Sequence, residues 1–155
     1  MFKRAWLIVT AVGVVSGVGV VGYVYFAPEP SVTADLADRD LVARKPLKRG
    51  TFAGADVAHS VSGQVALHEV DGKRLLLFTG YSATAGPDVY FYLSPGGEFD
   101  VDLAERLSVP RGAGEGQANL RGNFTVALPP ATRDFSEVVV WCKRFGVKFG
   151  SAQLK

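Results

Sequence analysis

The sequence predicts an all-β fold, an antiparallel β-sandwich of seven or eight strands, preceded by one N-terminal transmembrane helix. Three observations lead to this prediction. Short runs of branched and aromatic residues, separated by Gly and Pro turn signals, follow one another from residue 50 onward. Apart from Val101 to Leu107, no window of ten or more residues in that region shows a helical period. The region before residue 28, by contrast, contains a long uncharged apolar run.

The composition of the 155 residues limits the classes of function. This length fits one domain with appendages. The formal net charge of +2 equals the charge of Lys3 and Arg4, so the rest of the chain is neutral. A neutral domain has no field that would hold a polyphosphate chain, and no nucleic acid is expected as a partner. The single cysteine excludes a disulfide framework within the chain.

Residues 5–27 are predicted to be a transmembrane anchor. They form a run of 23 residues without a charge, which as a helix spans about 35 Å and can cross a bilayer core of about 30 Å. Lys3 and Arg4 place residues 1–4 in the cytoplasm and send the C-terminal part across the membrane. A cleaved signal peptide is the alternative, but the run exceeds a usual signal core and no Ala-x-Ala site precedes Pro28. We therefore expect an uncleaved signal-anchor in a single-pass protein of the cell membrane, with an extracytoplasmic C-terminal domain.

Residues 28–49 are predicted to be a linker, because they are rich in charge, have prolines near both ends and offer little to bury. Within residues 34–44, early aspartates and late basic residues favour a helical turn or two, since this order suits the helix dipole. Four basic residues form a small patch: Arg44, Lys45, Lys48 and Arg49. The patch is either a solvated part of the linker or a contact with anionic headgroups or envelope polymers.

Residues 50–155 are predicted to form the folded domain. Strands over residues 62–70 and 73–79 are joined by Asp71-Gly72, a strong signal for a hairpin turn. Further strands are predicted over residues 88–94, 124–128, 137–144 and 145–150, and a glycine-rich loop over residues 111–122. The strand that begins at Glu137 is apolar on both faces in its first half, which indicates a central strand.

Several segments of this domain, taken in order, carry a family pattern. They are Phe52, His59 to Gly63, Gly86 to Leu93 (GPDVYFYL), Leu120 to Gly122, and Val140 to Leu154 with its Trp-Cys-x-x-Phe-x-Val-x-Phe-Gly stretch. With these motifs the chain resembles the DM-13 domain family (electron-transfer DM-13 domain), in a membrane-anchored bacterial type. The resemblance covers about 100 residues. The stretch before Leu120 departs from the family pattern, because it is rich in Gly and Ala.

The resemblance implies an all-β domain of envelope or extracellular proteins, sometimes found beside haem-binding domains. It also implies a role in electron transfer with the cysteine as the reactive group. In that family proposal the cysteine acts either as a bare thiol or as the ligand of a prosthetic group.

Cys142, the only thiol, is the first candidate site residue. In an exported chain an odd cysteine deserves notice, and the neighbouring Lys143 and Arg144 would favour the reactive thiolate. Strand alternation, however, places Cys142 on the same face as Val138 and Val140, where it would pack as a small hydrophobe. Both interpretations, a redox or ligand role and a core role, stay open at this point. If the thiol only packs, replacement by Ser should cost more stability than replacement by Ala, since a hydroxyl would enter an apolar site.

His59 is the second candidate, because it precedes a predicted strand in a loop and an imidazole can activate a thiol or bind a metal. The alternative for His59 is a turn or capping residue. His68 is expected to face solvent on the hairpin without a function. Asp88 is expected to close a turn by accepting hydrogen bonds from nearby backbone amides.

Motifs for several enzyme classes are missing from the sequence. It has no dinucleotide or phosphate loop, no nucleophile elbow, no zinc-protease helix and no Cys-x-x-Cys-His for covalent haem. No metal site is predicted, no cofactor is required by the sequence, and classical catalysis is not expected. The leading hypothesis is a membrane-anchored extracytoplasmic redox or electron-transfer module that uses Cys142, with His59 nearby and an envelope redox protein as partner. The alternative is a non-enzymatic β-sandwich that binds an envelope partner or polymer, with the cysteine in its core.

Overall fold

Two β-sheets of five strands each form the fold in the computed structural model, which describes residues 32–36, 39–109 and 118–155. The strands are β1 (Val32–Leu36), β2 (Lys48–Thr51), β3 (Ala53–Gly54), β4 (Val61–Val70), β5 (Lys73–Ala83), β6 (Val89–Ser94), β7 (Glu105–Arg106), β8 (Leu120–Ala127), β9 (Glu137–Cys142) and β10 (Val147–Gln153). One short helix, α1 (Arg39–Val42), lies between β1 and β2.

The two sheets have the strand orders β1-β8-β5-β4-β2 and β3-β10-β9-β6-β7. All pairs are antiparallel except β1 with β8, which is parallel. The prediction of an all-β, essentially antiparallel sandwich is therefore confirmed. The described residues contain ten strands rather than seven or eight, because β3 and β7 have only two residues each, too few to show an alternation in sequence.

The β4–β5 hairpin confirms the strongest turn signal of the sequence. Asp71 and Gly72 both have positive φ, 51° and 71°, as a two-residue turn of this handedness requires. The register pairs Val70 with Lys73 and continues along both strands to Val61 and Ala83. This hairpin supplies much of the inner face of the first sheet.

The core lies between the two sheets and is rich in aromatic rings. Phe78 stacks on Phe124 with ring centroids 4.5 Å apart, and Phe91 of the opposite sheet approaches Phe78 to 4.9 Å. Tyr81 is fully buried beside Phe91, at 5.0 Å, and its hydroxyl donates to the carbonyl of Ala118. Such rings bury large apolar areas and stabilise a sandwich of this size.

Strand β9 is central in its sheet, between β10 and β6, as predicted. Val138, Val140 and Cys142 belong to the core between the sheets, in agreement with the expected alternation. Glu137 is also buried, although it lies on the other face, where its Oε1 accepts a hydrogen bond from Lys148 Nζ at 3.0 Å. The outer face of this sheet is therefore partly covered.

The segment predicted as a linker contains β1, α1 and the start of β2. Leu41 of α1 is buried, with 1% of its surface exposed, so the segment contributes an apolar contact that its composition did not suggest. The predicted membrane anchor, residues 5–27, lies outside the described residues. Among the described residues no helix has the length and apolar character needed to cross a bilayer.

Candidate functional site

Cys142 ends β9 with its side chain directed into the core. It is completely buried, and its Cα partners in the neighbouring strands are Val89 and Val147. Its Sγ donates a hydrogen bond to the carbonyl oxygen of Pro87 at 3.0 Å. The thiol is thus both a packing group and a hydrogen-bond donor, with a neutral acceptor as its polar partner.

The segment Gly86 to Asp88 closes over the thiol, and each of its three carbonyl oxygens accepts a hydrogen bond. Asn119 Nδ2 donates to Gly86 at 3.1 Å. Cys142 Sγ donates to Pro87, and the backbone amide of Lys143 donates to Asp88 at 2.9 Å. Since buried carbonyls are costly when unpaired, these three bonds fix the segment against the end of β9.

Asp88 is also held through its side chain. Its Oδ2 accepts a hydrogen bond from Arg144 Nε at 2.9 Å, and both side chains are less than one third exposed. Asp88 has a φ of 54°, a region that Asp tolerates better than most residues. The carboxylate of Asp88 was expected to accept hydrogen bonds from nearby backbone amides. It forms an ion pair instead with Arg144, 56 residues further along the chain, which reaches Asp88 from the turn after β9.

Gly86 is needed for close approach rather than for an unusual φ. A Cβ at this position would lie 2.7 Å from Cζ of Phe149 and 3.0 Å from Cγ2 of Val89. Real Cβ atoms do not show contacts as short as the first, so the ring of Phe149 occupies the space that a larger residue would need.

His59 lies in the loop before β4, where its ring packs on Phe149 with centroids 4.7 Å apart. Its Nδ1 is 2.8 Å from Oδ2 of Asp56, and Oδ1 of Asp56 accepts the backbone amides of Ala58 and His59. These bonds, first the one from the His59 side chain and then those from the amides, lower the pKa of Asp56. His59 is therefore oriented by a carboxylate, with its side chain 29% exposed.

His59 and Cys142 are connected through one intermediate ring. In the part of the chain that the structure describes, no hydrogen bond joins the two side chains. Phe149 lies against His59 and also approaches Gly86, which directly precedes the acceptor of the thiol. The two candidates thus belong to one region, but His59 is not placed to take the thiol proton directly. Their redox roles stay predictions.

His68 differs from its expected place on the surface. It is only 3% exposed. Burial and then the charge of Arg44 lower its pKa. The sequence suggested solvent because β4 looked like a hairpin strand with one open face, but that face lines a cavity together with Leu41 of α1.

Cys142 is not part of a metal site in the described part of the chain. No group of three or more His, Cys, Asp or Glu side chains there could hold a metal ion. The sulfur atom is enclosed, and a prosthetic group bound to it would have to displace Gly86 to Asp88 with their three hydrogen bonds. The arrangement fits the bare thiol of the two family alternatives and does not fit a thiolate ligand.

Sequence reasoning missed the residues that close this site, namely Asn119, Pro87 and Arg144 in its role as a partner of Asp88. The Gly-Pro-Asp motif in the sequence indicated that this segment matters. It did not indicate which residues bind to the segment. Only the pairing of β6 with β9 brings that motif against the Trp-Cys motif, by setting Val89 opposite Cys142.

Comparison with known proteins supports a family assignment. Residues 51–154 match the family model described as Electron transfer DM13. No curated protein matches the chain, and no solved structure does.

Proposed function

Because the chain belongs to the electron-transfer DM-13 family over residues 51–154, we propose that it is an electron-transfer module of the cell envelope with Cys142 as its redox group. Residues 5–27 anchor it in the cell membrane, and the domain lies on the extracytoplasmic side. The partner is an envelope redox protein.

One observation carries this proposal. The two sequence segments that define the resemblance, Gly86-Pro87-Asp88 and Trp141-Cys142, meet at a single hydrogen bond, from Sγ to the carbonyl of Pro87. The bond gives the thiol a specific acceptor, and the hydrogen bonds to Gly86 and Asp88 on either side hold that acceptor in place. The contact supports a thiol that is enclosed in the domain and held by a specific hydrogen bond.

The burial of Cys142 restricts the chemistry that fits. Disulfide exchange requires in-line attack at sulfur by a second thiol, which cannot reach an atom with no exposed surface. A one-electron step has no such requirement. The thiol gives one electron to a metal-centred acceptor carried by the partner, and its S–H proton leaves to water when Gly86 to Asp88 opens and water reaches the sulfur. Reduction returns one electron and one proton and restores the thiol.

His59 has a supporting role in this scheme. It is held by Asp56 at the edge of the same region, and Phe149 separates it from the segment over the thiol. When Gly86 to Asp88 opens, His59 is a base from which the proton can pass to solvent.

Radical trapping tests the redox proposal. The full chain, purified in a neutral detergent, is treated with a one-electron outer-sphere oxidant and a spin trap, beside Cys142→Ala. A sulfur-centred adduct in the wild type and its loss in the variant are expected. Equal oxidation of both proteins, with only tyrosyl or tryptophanyl signals, would remove Cys142 from the proposal. A thermal melt of the variant confirms that it is folded.

The full burial of Cys142 also favours a second candidate, a β-sandwich that binds an envelope partner or polymer with the thiol as a core residue. The two functions differ in what a folded Cys142→Ala protein does. Under the binding function its phenotype follows stability alone, whereas under the redox function activity is lost while the fold persists.

Membrane placement is tested separately. Protease added to intact spheroplasts should remove the domain and leave a short anchored fragment. Protection in spheroplasts with degradation after lysis would contradict the proposed orientation.

A further inference from the structure

A cavity of about 840 Å³ opens beside α1, away from the Cys142 region. Residues of α1, β2, β4, β5 and β10 line it, so both sheets contribute to its wall. Its volume lies within the range of small-ligand sites. The cavity is independent of the redox proposal, because none of the residues that surround the thiol lines it.

The lining charge is of one sign. Arg44, Arg49 and Lys155 line the cavity, and no Asp or Glu is among the described residues that do so. None of the three cations forms an ion pair with another described residue. The chain after Arg4 has equal numbers of acidic and basic residues, so this local excess of three positive charges is a concentrated feature, and a concave wall focuses its field.

Hydrogen-bonding groups complete the wall. Gln64, Thr79 and Gln153 line it and can donate to an oxygen atom. His68 lines it as well, and it is 97% buried, as its 3% exposure shows. No hydrogen bond joins its ring to another described residue. A polar side chain buried to this degree normally has a partner, and here the remaining side is the cavity.

We propose that this cavity binds a phosphate group. Arg44, Arg49 and Lys155 line it and carry two guanidinium groups and an ammonium group. This donor set matches tetrahedral phosphate oxygens, and three cations exceed what a single carboxylate would neutralise. The phosphate is either that of a soluble phosphate ester or that of a lipid headgroup. Arg44 and Arg49 lie a short way along the chain from residues 5–27. With residues 5–27 as the membrane anchor of the proposed function, a lipid headgroup is within reach of the cavity.

Two binding measurements distinguish the sources. Calorimetry of the full chain in neutral detergent with glycerol 3-phosphate tests the soluble source. Amide hydrogen exchange of residues 44–51 and 64–68 in nanodiscs of phosphatidylcholine, with or without phosphatidylglycerol, tests the headgroup source. Saturable binding in the first assay assigns a soluble phosphate. Protection only in the anionic nanodiscs assigns the headgroup. If the chain shows neither saturable binding of glycerol 3-phosphate nor protection in the anionic nanodiscs, the proposal is wrong.

Variants show whether the cavity itself is responsible. Arg49→Gln should weaken binding about tenfold, the worth of one charge-assisted contact, and Gln64→Glu should abolish it by adding a carboxylate to the wall. Lys73→Gln is the matched control, since it removes one charge at the hairpin turn outside the lining. Equal losses in Lys73→Gln and Arg49→Gln would mean diffuse attraction and would contradict the site. Melts of each variant exclude unfolding as the cause.

Discussion

Arg144 holds Asp88 by a hydrogen bond of 2.9 Å from Nε to Oδ2, and Asp88 has a φ of 54°. This pair fastens the segment whose middle residue, Pro87, accepts the hydrogen bond of Cys142. We therefore expect the accessibility of the thiol to depend on this partly buried ion pair.

Alkylation of Cys142 should be slow in the native protein, because the thiol has no exposed surface and reacts only when the segment opens. Arg144→Gln should accelerate it about fivefold, since a partly exposed, charge-assisted pair contributes about 1 kcal/mol to the closed state. The rate is followed by mass spectrometry at sub-denaturing conditions. Arg74→Gln is the control, because it breaks an ion pair with Asp134 elsewhere in the domain. An equal acceleration in the control would indicate global destabilisation.

Replacement of Cys142 should destabilise the domain more with Ala than with Ser. Ala leaves the carbonyl of Pro87 without its donor at a fully buried position, at a cost of about 1–3 kcal/mol. Ser retains a donor near the same acceptor. Chemical denaturation gives the two free energies of unfolding. A milder effect of Ala, the order expected from sequence alone, would show that the bond to Pro87 contributes little.

Gly86→Ala should cost about 1–3 kcal/mol, because the new methyl group overlaps the ring of Phe149. The ring should shift, and the NMR signals of His59 should change with it, since His59 packs on that ring. Gly80→Ala is the control. It introduces strain from its φ of +59° but meets no atom within 4 Å, so the His59 signals should stay. Unchanged His59 signals in Gly86→Ala would contradict the coupling.

The stability of the domain should fall as the pH is lowered below 6.5, the usual value for histidine. Burial lowers the pKa of His68 in the folded state, so the unfolded chain takes up its proton first. The stability that neutral His68 contributes is complete above pH 6.5. It is lost as the pH falls towards the lowered pKa that His68 has in the folded state. Melting temperatures between pH 8 and 5 should decline less steeply in His68→Gln than in wild type. An identical slope in His68→Gln would refute the assignment.

Lys148→Gln should destabilise by about 2–3 kcal/mol, because it leaves the carboxylate of the buried Glu137 without its ion-pair partner. The double variant with Glu137→Gln should recover part of this loss, since the buried charge is then gone. Urea denaturation of the single and double variants gives the coupling free energy. Additive losses would show that the two side chains act independently.

The sequence was most informative where local chemistry is sufficient. The turn at Asp71-Gly72 needs positive φ at two successive residues, and the residue types alone indicate it. The burial of alternate residues in β9 likewise follows from the period of a strand, which placed Cys142 with Val138 and Val140. The class of the fold was therefore predictable from periodicity and turn signals.

Contacts between distant segments were not predictable from such patterns. His68 is buried in the wall of a cavity that residues of α1 and β10 also line, and the composition of residues 28–49 gave no sign that Leu41 would be buried there. The parallel pairing of β1 with β8 is likewise a contact between distant segments, since it sets residues 32–36 against residues 120–124.

The sequence by itself determined the all-β class, the hairpin and the two candidate residues Cys142 and His59, because periodicity, turn chemistry and residue type act over a few neighbouring positions. Only the tertiary structure decided that the thiol is enclosed, that Pro87 is its acceptor, and that Phe149 stands between the two candidates. These relations join residues far apart in the chain, and their geometry is set by sheet register and packing, which local sequence does not encode.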